Sequence, residues 1–120
     1  MLRRARRAFA SKVIVPRHRD TLILQAGGCA PLADASRAGA VVGLKLDGSV
    51  DDLAVRYLAT LLALCYQTRH ILDVLVEAGH ERFASVVLTG GLAKNALYVR
   101  ATADATGLPV SLPREREAVL

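Results

Sequence analysis

The stretch from Ser85 to Asn95, SVVLTGGLAKN, leaves this chain few possible folds. The run from Val86 to Leu88 is β-branched and apolar, which is typical of a strand covered on both faces. The double glycine Gly90-Gly91 follows at once, and residues from Ala93 to Thr106 have helical composition and spacing. The pattern therefore predicts a strand, a tight turn and a helix in direct succession.

The same joint is a candidate binding site. Glycine lacks a Cβ atom and adopts positive φ readily, so Gly90 and Gly91 would let a flat ligand lie against the backbone. Open α/β sheets bind their ligands at such carboxyl ends of strands. A glycine pair after a strand is more often only a tight turn, and these residues alone leave both interpretations open.

The net charge of +5 is unevenly distributed along the chain. Seven of the 16 basic residues precede the first acid, Asp20, and residues 1–19 contain no acid. The other nine basic residues face all 11 acids, so residues 20–120 carry about −2. A nucleic-acid surface needs basic residues clustered on the folded face, and the sequence therefore predicts no nucleic-acid partner.

The basic opening segment, residues 1–19, has the composition of a mitochondrial presequence and equally that of an incidental basic tail. We expect a cytoplasmic protein, with mitochondrial import as the alternative. No apolar stretch approaches the 18 or more residues that span a bilayer, so no membrane partner is expected. Cys29 and Cys65 are too few for a disulfide framework or a zinc site, which favours a reducing compartment.

A long helix is predicted from about residue 50 to 78. Apolar residues recur at helical spacing through this region, and Gly79 supplies a left-handed stop. Ser49 and Asp52 have the spacing of a capping box, in which the hydroxyl accepts a backbone N–H and the carboxylate reaches back to the cap. Shorter segments are predicted around this helix: a strand at Thr21–Leu24, an extended or turn segment at Val41–Leu46, a strand at Leu108–Leu112, and a third helix from Pro113 inside which the chain ends.

Nine short segments occur in a fixed order along the chain. They are PLAD from Pro31, VGLKLD from Val42, DDLA from Asp51, YLAT from Tyr57, TRHI from Thr68, EAGH from Glu77, GGLAKN from Gly90, ADATGLPV from Ala103 and LPREREAVL from Leu112. In this order and spacing the region from Gly27 to Leu120 resembles the C-terminal domain of the FGGY carbohydrate kinases, and within them the D-ribulokinase and ribitol-kinase-like branch.

The resemblance implies an α/β fold, part of a ribonuclease-H-like, actin-like ATPase domain with a long helix followed by the strand–turn–helix unit. It divides the chain into a basic segment, 1–19, and a partial kinase domain, 20–120, which is expected to be incomplete at both ends. In these kinases two domains close over ATP and a sugar. The resemblance therefore implies ATP and Mg²⁺, with the metal ligands and most sugar contacts in the other domain.

The resemblance also assigns site residues. In the resembling kinases a Gly-Gly-x-x-x-Asn turn holds the adenosine part of ATP, and this role falls here on Gly90, Gly91 and Asn95. An asparagine amide offers a donor and an acceptor to such a ligand. No catalytic residue and no metal ligand is assigned. One departure is visible, since the family's polar Asn and Arg before LAD are missing from Gly27–Pro31, GGCAP.

The sequence thus favours the adenosine-binding, C-terminal portion of an ATP-dependent kinase that phosphorylates a pentulose or pentitol. The alternative is a non-catalytic fragment that binds nucleotide weakly or only associates with a partner. Phosphoryl transfer needs a base for the sugar hydroxyl and groups around the phosphates. Neither has a candidate in this chain, so we expect no sugar kinase activity from the chain alone.

Overall fold

The computed structural model describes residues 12–14, 22–24, 40–44 and 46–114. The elements in these ranges are, in chain order, β1 (Lys12–Ile14), β2 (Leu22–Leu24), β3 (Ala40–Val42), α1 (Val50–Glu77), β4 (Val86–Val87), a 3₁₀ turn (Gly91–Lys94), α2 (Ala96–Thr106) and β5 (Val110–Ser111). Several predictions made from the sequence lie outside the described residues, namely those for Cys29, the GGCAP loop and the helix after Pro113. No helix among the described residues is long and apolar enough to cross a bilayer.

The strands form two separate sheets. β1, β2 and β3 make an antiparallel sheet in that order, with Ile23 opposite both Val13 and Val41. β4 and β5 make a parallel pair, with Val86 opposite Val110. Parallel neighbours need a crossover connection, which the 3₁₀ turn and α2 provide. An α/β chain with the long helix ahead of the strand–turn–helix unit is therefore confirmed, whereas the sequence does not predict β1.

α1 begins where the sequence predicts, but its cap differs from the capping box. The Ser49 hydroxyl oxygen accepts the backbone N–H of Asp52 at 3.2 Å, as expected. The backbone N–H of Ser49 donates to the carboxylate of Asp47 at 2.9 Å instead of to Asp52. The Asp52 carboxylate forms an ion pair with Arg56 one turn further along. The predicted hydrogen bond between the Asp52 carboxylate and the Ser49 backbone N–H is therefore wrong, because Asp47 accepts that N–H and Asp52 pairs with Arg56 instead.

α1 ends in a Schellman motif at Gly79. The backbone N–H of His80 donates to the carbonyl of Leu75 at 3.1 Å, and that of Gly79 donates to Val76 at 3.0 Å. The φ of Gly79 is 101°, a left-handed value that glycine adopts without a Cβ penalty. The predicted glycine stop is confirmed, and it turns the chain away from α1 toward β4.

α2 begins later than the sequence pattern predicts. The α-helical part runs from Ala96 to Thr106, and the residues before it form the 3₁₀ turn and an extended Asn95 with φ −91° and ψ 106°. The predicted start at Ala93 is therefore wrong by three residues. The reason is chemical: an asparagine side chain competes for backbone N–H groups and so favours a cap over a helix interior. The end at Gly107 is confirmed.

The core of the described residues lies between α1 and α2. Leu61 and Cys65 of α1 pack with Tyr98 and Ala101 of α2, and all four are buried. The Cys65 thiol lies 3.4 Å from the Thr102 hydroxyl. Burial raises the pKa of this thiol above its usual value of 9.0, against the opposing effect of the hydrogen bond with Thr102. Cys65 thus serves as a small core residue.

A second buried face of α1 lies on another side of the helix. Ala59 and Ala63 are almost fully buried there, with Val55 and Leu62 packed against them. α1 also contacts β1 and β2. Because α1 is buried on more than one side, it is the element around which the rest of the described chain is arranged.

Replacing Gly107 with alanine is expected to lower the free energy of unfolding by about 1 kcal/mol. Gly107 has a φ of 68°, and an L-residue in the left-handed region costs roughly 1–2 kcal/mol. Gly48→Ala is the matched control, since Gly48 is exposed, lacks a left-handed φ and has nothing within 4 Å of an added Cβ. Urea unfolding followed by circular dichroism measures both variants, and equal losses would contradict the argument.

Candidate functional site

The Gly90-Gly91 turn lies directly beyond the carboxyl end of β4. Gly90 has φ 84° and ψ −170°, a combination that is essentially restricted to glycine. Gly91 opens the 3₁₀ turn and does not have a left-handed φ. Of the two glycines predicted to take positive φ, only Gly90 does so. The backbone conformation therefore requires glycine at position 90. The conformation at position 91 does not, so the glycine there must have another cause.

The space over both glycines is open. An added Cβ would meet nothing within 4 Å at Gly90 or at Gly91. The turn itself is firmly held below this space, because the backbone N–H of Ala93 donates to the carbonyl of Gly90 at 3.1 Å and Ala93 is buried. The backbone of both glycines is therefore open to a ligand at the positions where other residues carry a Cβ atom.

Asn95 is the N-cap of α2. Its side-chain oxygen, Oδ1, accepts the backbone N–H groups of Leu97 at 3.0 Å and Tyr98 at 3.3 Å. Its Nδ2 donates to the hydroxyl of Tyr57 on α1 at 2.9 Å. The side chain therefore fixes the start of α2 and ties α2 to α1. Oδ1, the acceptor that we expected Asn95 to present to a ligand, is therefore used within the chain. One Nδ2 hydrogen remains unused.

An exposed apolar surface adjoins the turn. α1 has 28 residues and α2 only 11, so the first turns of α1 extend past the helix it packs on. Leu53 and Tyr57 continue the face of α1 that bears Leu61, yet they are 66% and 54% exposed whereas Leu61 is 4% exposed. Leu92 in the turn is 45% exposed. Exposed apolar side chains thus lie both on the first turns of α1 and within the glycine turn.

Comparison with known proteins identifies the family of this chain. Residues 17–120 match the C-terminal domain of the FGGY family of carbohydrate kinases. This chain belongs to the FGGY family. The family predicted from the nine segments is therefore confirmed.

The FGGY relatives include carbohydrate kinases with different named substrates. An FGGY carbohydrate kinase domain-containing protein of Danio rerio is 54% identical over 94 residues, which is 78% of this chain and 17% of the relative. A D-ribulokinase of Saccharomyces cerevisiae is 37% identical over 94 residues, 78% of this chain and 13% of the relative. A glycerol kinase of Pseudomonas syringae pv. syringae is 35% identical over 88 residues, 73% of this chain and 17% of the relative. The chain thus spans less than a fifth of the length of these relatives.

Within this FGGY chain the described carboxylates have structural partners or lie apart. Asp47 and Asp52 are engaged at the start of α1, and Asp73 pairs with Arg69 at 2.9 Å. No group of three or more His, Cys, Asp or Glu residues in the described ranges is placed to hold a metal ion. The donor set needed for Mg²⁺, several oxygen ligands, is therefore not assembled by these residues.

A cavity of about 430 Å³ lies near the C-terminal half of α1, away from the glycine turn. It is lined by mixed charges and apolar groups, including Arg69, Asp73, Arg82 and Phe83. The guanidinium of Arg69 is already engaged, since it bonds the Asp73 carboxylate and donates to the carbonyl of Thr106 at 3.1 Å. The lining of this cavity does not include Gly90, Gly91 or Asn95.

The sequence did not single out Tyr57 as a site residue. Its hydroxyl contacts Asn95, which is 38 positions away along the chain. In the sequence Tyr57 is one of several apolar residues at helical spacing, and that pattern predicts burial. Its exposure and its bond to Asn95 come from the unequal lengths of α1 and α2.

Proposed function

We propose that this chain is the adenosine-binding, C-terminal portion of an ATP-dependent kinase that phosphorylates a pentulose or pentitol. The observation that carries the proposal is the open backbone at Gly90-Gly91, at the carboxyl end of β4, in a chain of the FGGY family. Such a position is where α/β sheets bind ligands, and the missing side chain at Gly91 gives a flat ring direct access to the backbone.

The three residues at the turn have different proposed roles. Gly90 supplies the backbone conformation that turns the chain, and Gly91 supplies the space for the adenosine. Asn95 caps the first turn of α2 by accepting the backbone N–H groups of Leu97 and Tyr98, and its remaining Nδ2 hydrogen is available to a ligand acceptor. Together these features favour a nucleoside with acceptor atoms along one edge.

Phosphoryl transfer requires more than these residues supply. ATP would bring Mg²⁺, which neutralises charge on the phosphates as the phosphoryl group moves. No group of three or more His, Cys, Asp or Glu residues in the described ranges is placed to hold a metal ion, and no residue of this chain is assigned as a base for the sugar hydroxyl. In the proposed ribonuclease-H-like kinase architecture these groups and most of the sugar contacts belong to the other, N-terminal domain. The proposed partners are accordingly ATP and a sugar, and the proposed compartment is the cytoplasm.

The choice of a pentulose or pentitol is supported by the order of identities. The chain is 37% identical to the yeast D-ribulokinase and 35% identical to the glycerol kinase, over similar lengths. The relatives with 54% and 48% identity carry only the family's name. A five-carbon substrate is therefore the better supported proposal, and glycerol is the substrate to test against it.

A second function has one observation in its favour. The apolar side chains of Leu53 and Tyr57 are exposed on the first turns of α1, and exposed apolar patches often mark contacts with another protein surface. A non-catalytic chain that binds nucleotide weakly, or only associates with a partner, would use the same face. It differs from the first proposal in predicting that no assembly containing this segment transfers phosphate.

A chimera tests the two proposals against each other. The 94 matched residues of this chain replace their counterpart in the zebrafish relative, and ATP-dependent phosphorylation of D-ribulose, ribitol and glycerol is measured. We expect the chimera to retain the parent's sugar kinase activity and the 120-residue chain alone to show none. A folded chimera without activity, beside an active parent, would favour the non-catalytic alternative. Turnover by the isolated chain would contradict the division of roles between domains.

A further inference from the structure

Tyr57 lies beside Asn95, one of the three residues of the proposed adenosine site. It belongs to α1, it is 54% exposed, and its hydroxyl oxygen accepts a hydrogen bond from Nδ2 of Asn95 at 2.9 Å. Its hydroxyl proton has no acceptor among the described residues. Tyr57 therefore adds to the site a side chain from an element that the glycine motif does not include.

The cap bonds of Asn95 fix the orientation of its amide and direct Nδ2 to Tyr57. Oδ1 accepts from the backbone N–H groups of Leu97 and Tyr98, so both of its lone pairs are used. Nδ2 has two hydrogens, and one of them is directed to Tyr57. Rotating the amide by 180° would place Nδ2 against two backbone donors, which would break the cap.

The hydrogen bonds that remain unused on the pair are all donors. Asn95 keeps one Nδ2–H, and Tyr57 keeps its O–H because its oxygen is the group that accepts from Asn95. These side-chain donors lie beside the first turn of α2, where the backbone N–H groups of Leu97 and Tyr98 are already bonded to Oδ1 of Asn95. This side of the turn therefore presents donors to a ligand.

We propose that Tyr57 is a binding residue for the nucleoside, and that with Asn95 it forms a donor pair that recognises one acceptor atom on the nucleoside edge facing α1. This inference rests on the proposed adenosine site and adds a residue to it. The donor pair requires an acceptor on that edge, such as an unprotonated ring nitrogen or a ribose oxygen. Loss of the Tyr57 hydroxyl removes one donor and leaves the cap bonds of Asn95 in place.

The test uses the 120-residue chain with ADP as the probe, followed by ¹⁵N chemical shifts. Tyr57→Phe keeps the aromatic ring and removes only the hydroxyl, and it is expected to weaken ADP binding roughly 3- to 10-fold, as for the loss of one net hydrogen bond. Tyr66→Phe is the matched control, because Tyr66 is an exposed tyrosine of the same helix that lines a groove with Leu62 and Leu97. The control is expected to leave ADP affinity unchanged.

A series of analogues separates a contact from a structural effect. The analogues are ADP with N1, N3 or N7 replaced by carbon, and 2′-deoxy and 3′-deoxy ADP, each of which lacks one acceptor. One analogue is expected to bind the wild type and Tyr57→Phe equally, because its missing acceptor is the partner of the missing hydroxyl. If Tyr57→Phe weakens every analogue by the same factor, or none, the inference is overturned. If the wild-type chain binds neither ADP nor any analogue, the proposed adenosine site itself is wrong.

Discussion

Valine at position 91 is expected to remove most nucleotide affinity while the chain stays folded. Gly91 lacks a left-handed φ, and an added Cβ meets nothing within 4 Å, so the folded chain accommodates the side chain. A ligand lying over the glycine backbone would meet the branched side chain, and filling occupied space typically costs 1–3 kcal/mol. We therefore expect ADP affinity to fall roughly 10- to 100-fold with little change in melting temperature.

Gly90→Ala is the matched counterpart of this change. Gly90 has φ 84° and ψ −170°, so alanine there is expected to lower the free energy of unfolding by about 1–3 kcal/mol. The two variants thus separate a backbone requirement from a space requirement within one turn. Thermal unfolding and ADP titration of both variants measure the difference. Equal destabilisation by the two changes, or an unchanged ADP affinity in Gly91→Val, would make the turn purely structural.

Leu61→Ala is expected to cost more stability than any surface change in the chain. Leu61 is 4% exposed and packs with Cys65, Tyr98 and Ala101 at the contact of α1 with α2. Truncating a buried leucine to alanine removes apolar burial and leaves a cavity, which together cost about 2–5 kcal/mol. A loss of this size is a large part of the 5–15 kcal/mol that stabilises a typical domain.

Leu53→Ala is the control for this prediction. Leu53 lies two helical turns before Leu61 and carries the same substitution, but it is 66% exposed. Its loss is expected to stay within about 0.5 kcal/mol, as for most surface changes. Urea unfolding at constant temperature gives both values. A Leu53 effect that equals the Leu61 effect would mean that α1 is covered beyond the end of α2.

The features that the sequence predicts correctly are those with short-range chemical causes. The end of α1 follows from Gly79, since a left-handed glycine closes the Schellman bonds within six residues. The stretch from Val86 to Gly91 likewise predicts the strand and turn, because β-branched residues and a double glycine act locally. The expected burial of this strand on both faces is wrong, since Val87 is 63% exposed. The family follows from nine ordered segments, and the match over residues 17–120 confirms it.

The errors arise where a side chain chooses among several partners. The apolar spacing predicted that α2 starts at Ala93. In the structure Asn95 caps the helix, and its first residue is Ala96. Spacing also suggested that Asp52 would return a bond to Ser49, but Arg56 pairs with Asp52 instead. Periodicity identifies the apolar face of a helix. It does not determine which polar group accepts a hydrogen bond from a given backbone N–H.

The sequence patterns did not predict contacts between residues that are separated along the chain. The pairing of β1 with β2 and the bond between Tyr57 and Asn95 join distant residues, so no local pattern encodes them. The consequence for the candidate site is specific. Asn95 was expected to offer a ligand an acceptor and a donor, and its use as a cap leaves it a donor only.

Titration of the ¹⁵N-labelled 120-residue chain with ADP tests the proposed adenosine site most directly. We expect saturable shift changes at Gly90, Gly91 and Asn95 and at the neighbouring Tyr57, with the rest of α1 little affected. No saturable change at these residues, or changes confined to the cavity beside Arg69 at the other end of α1, would contradict the placement of the nucleotide at the glycine turn.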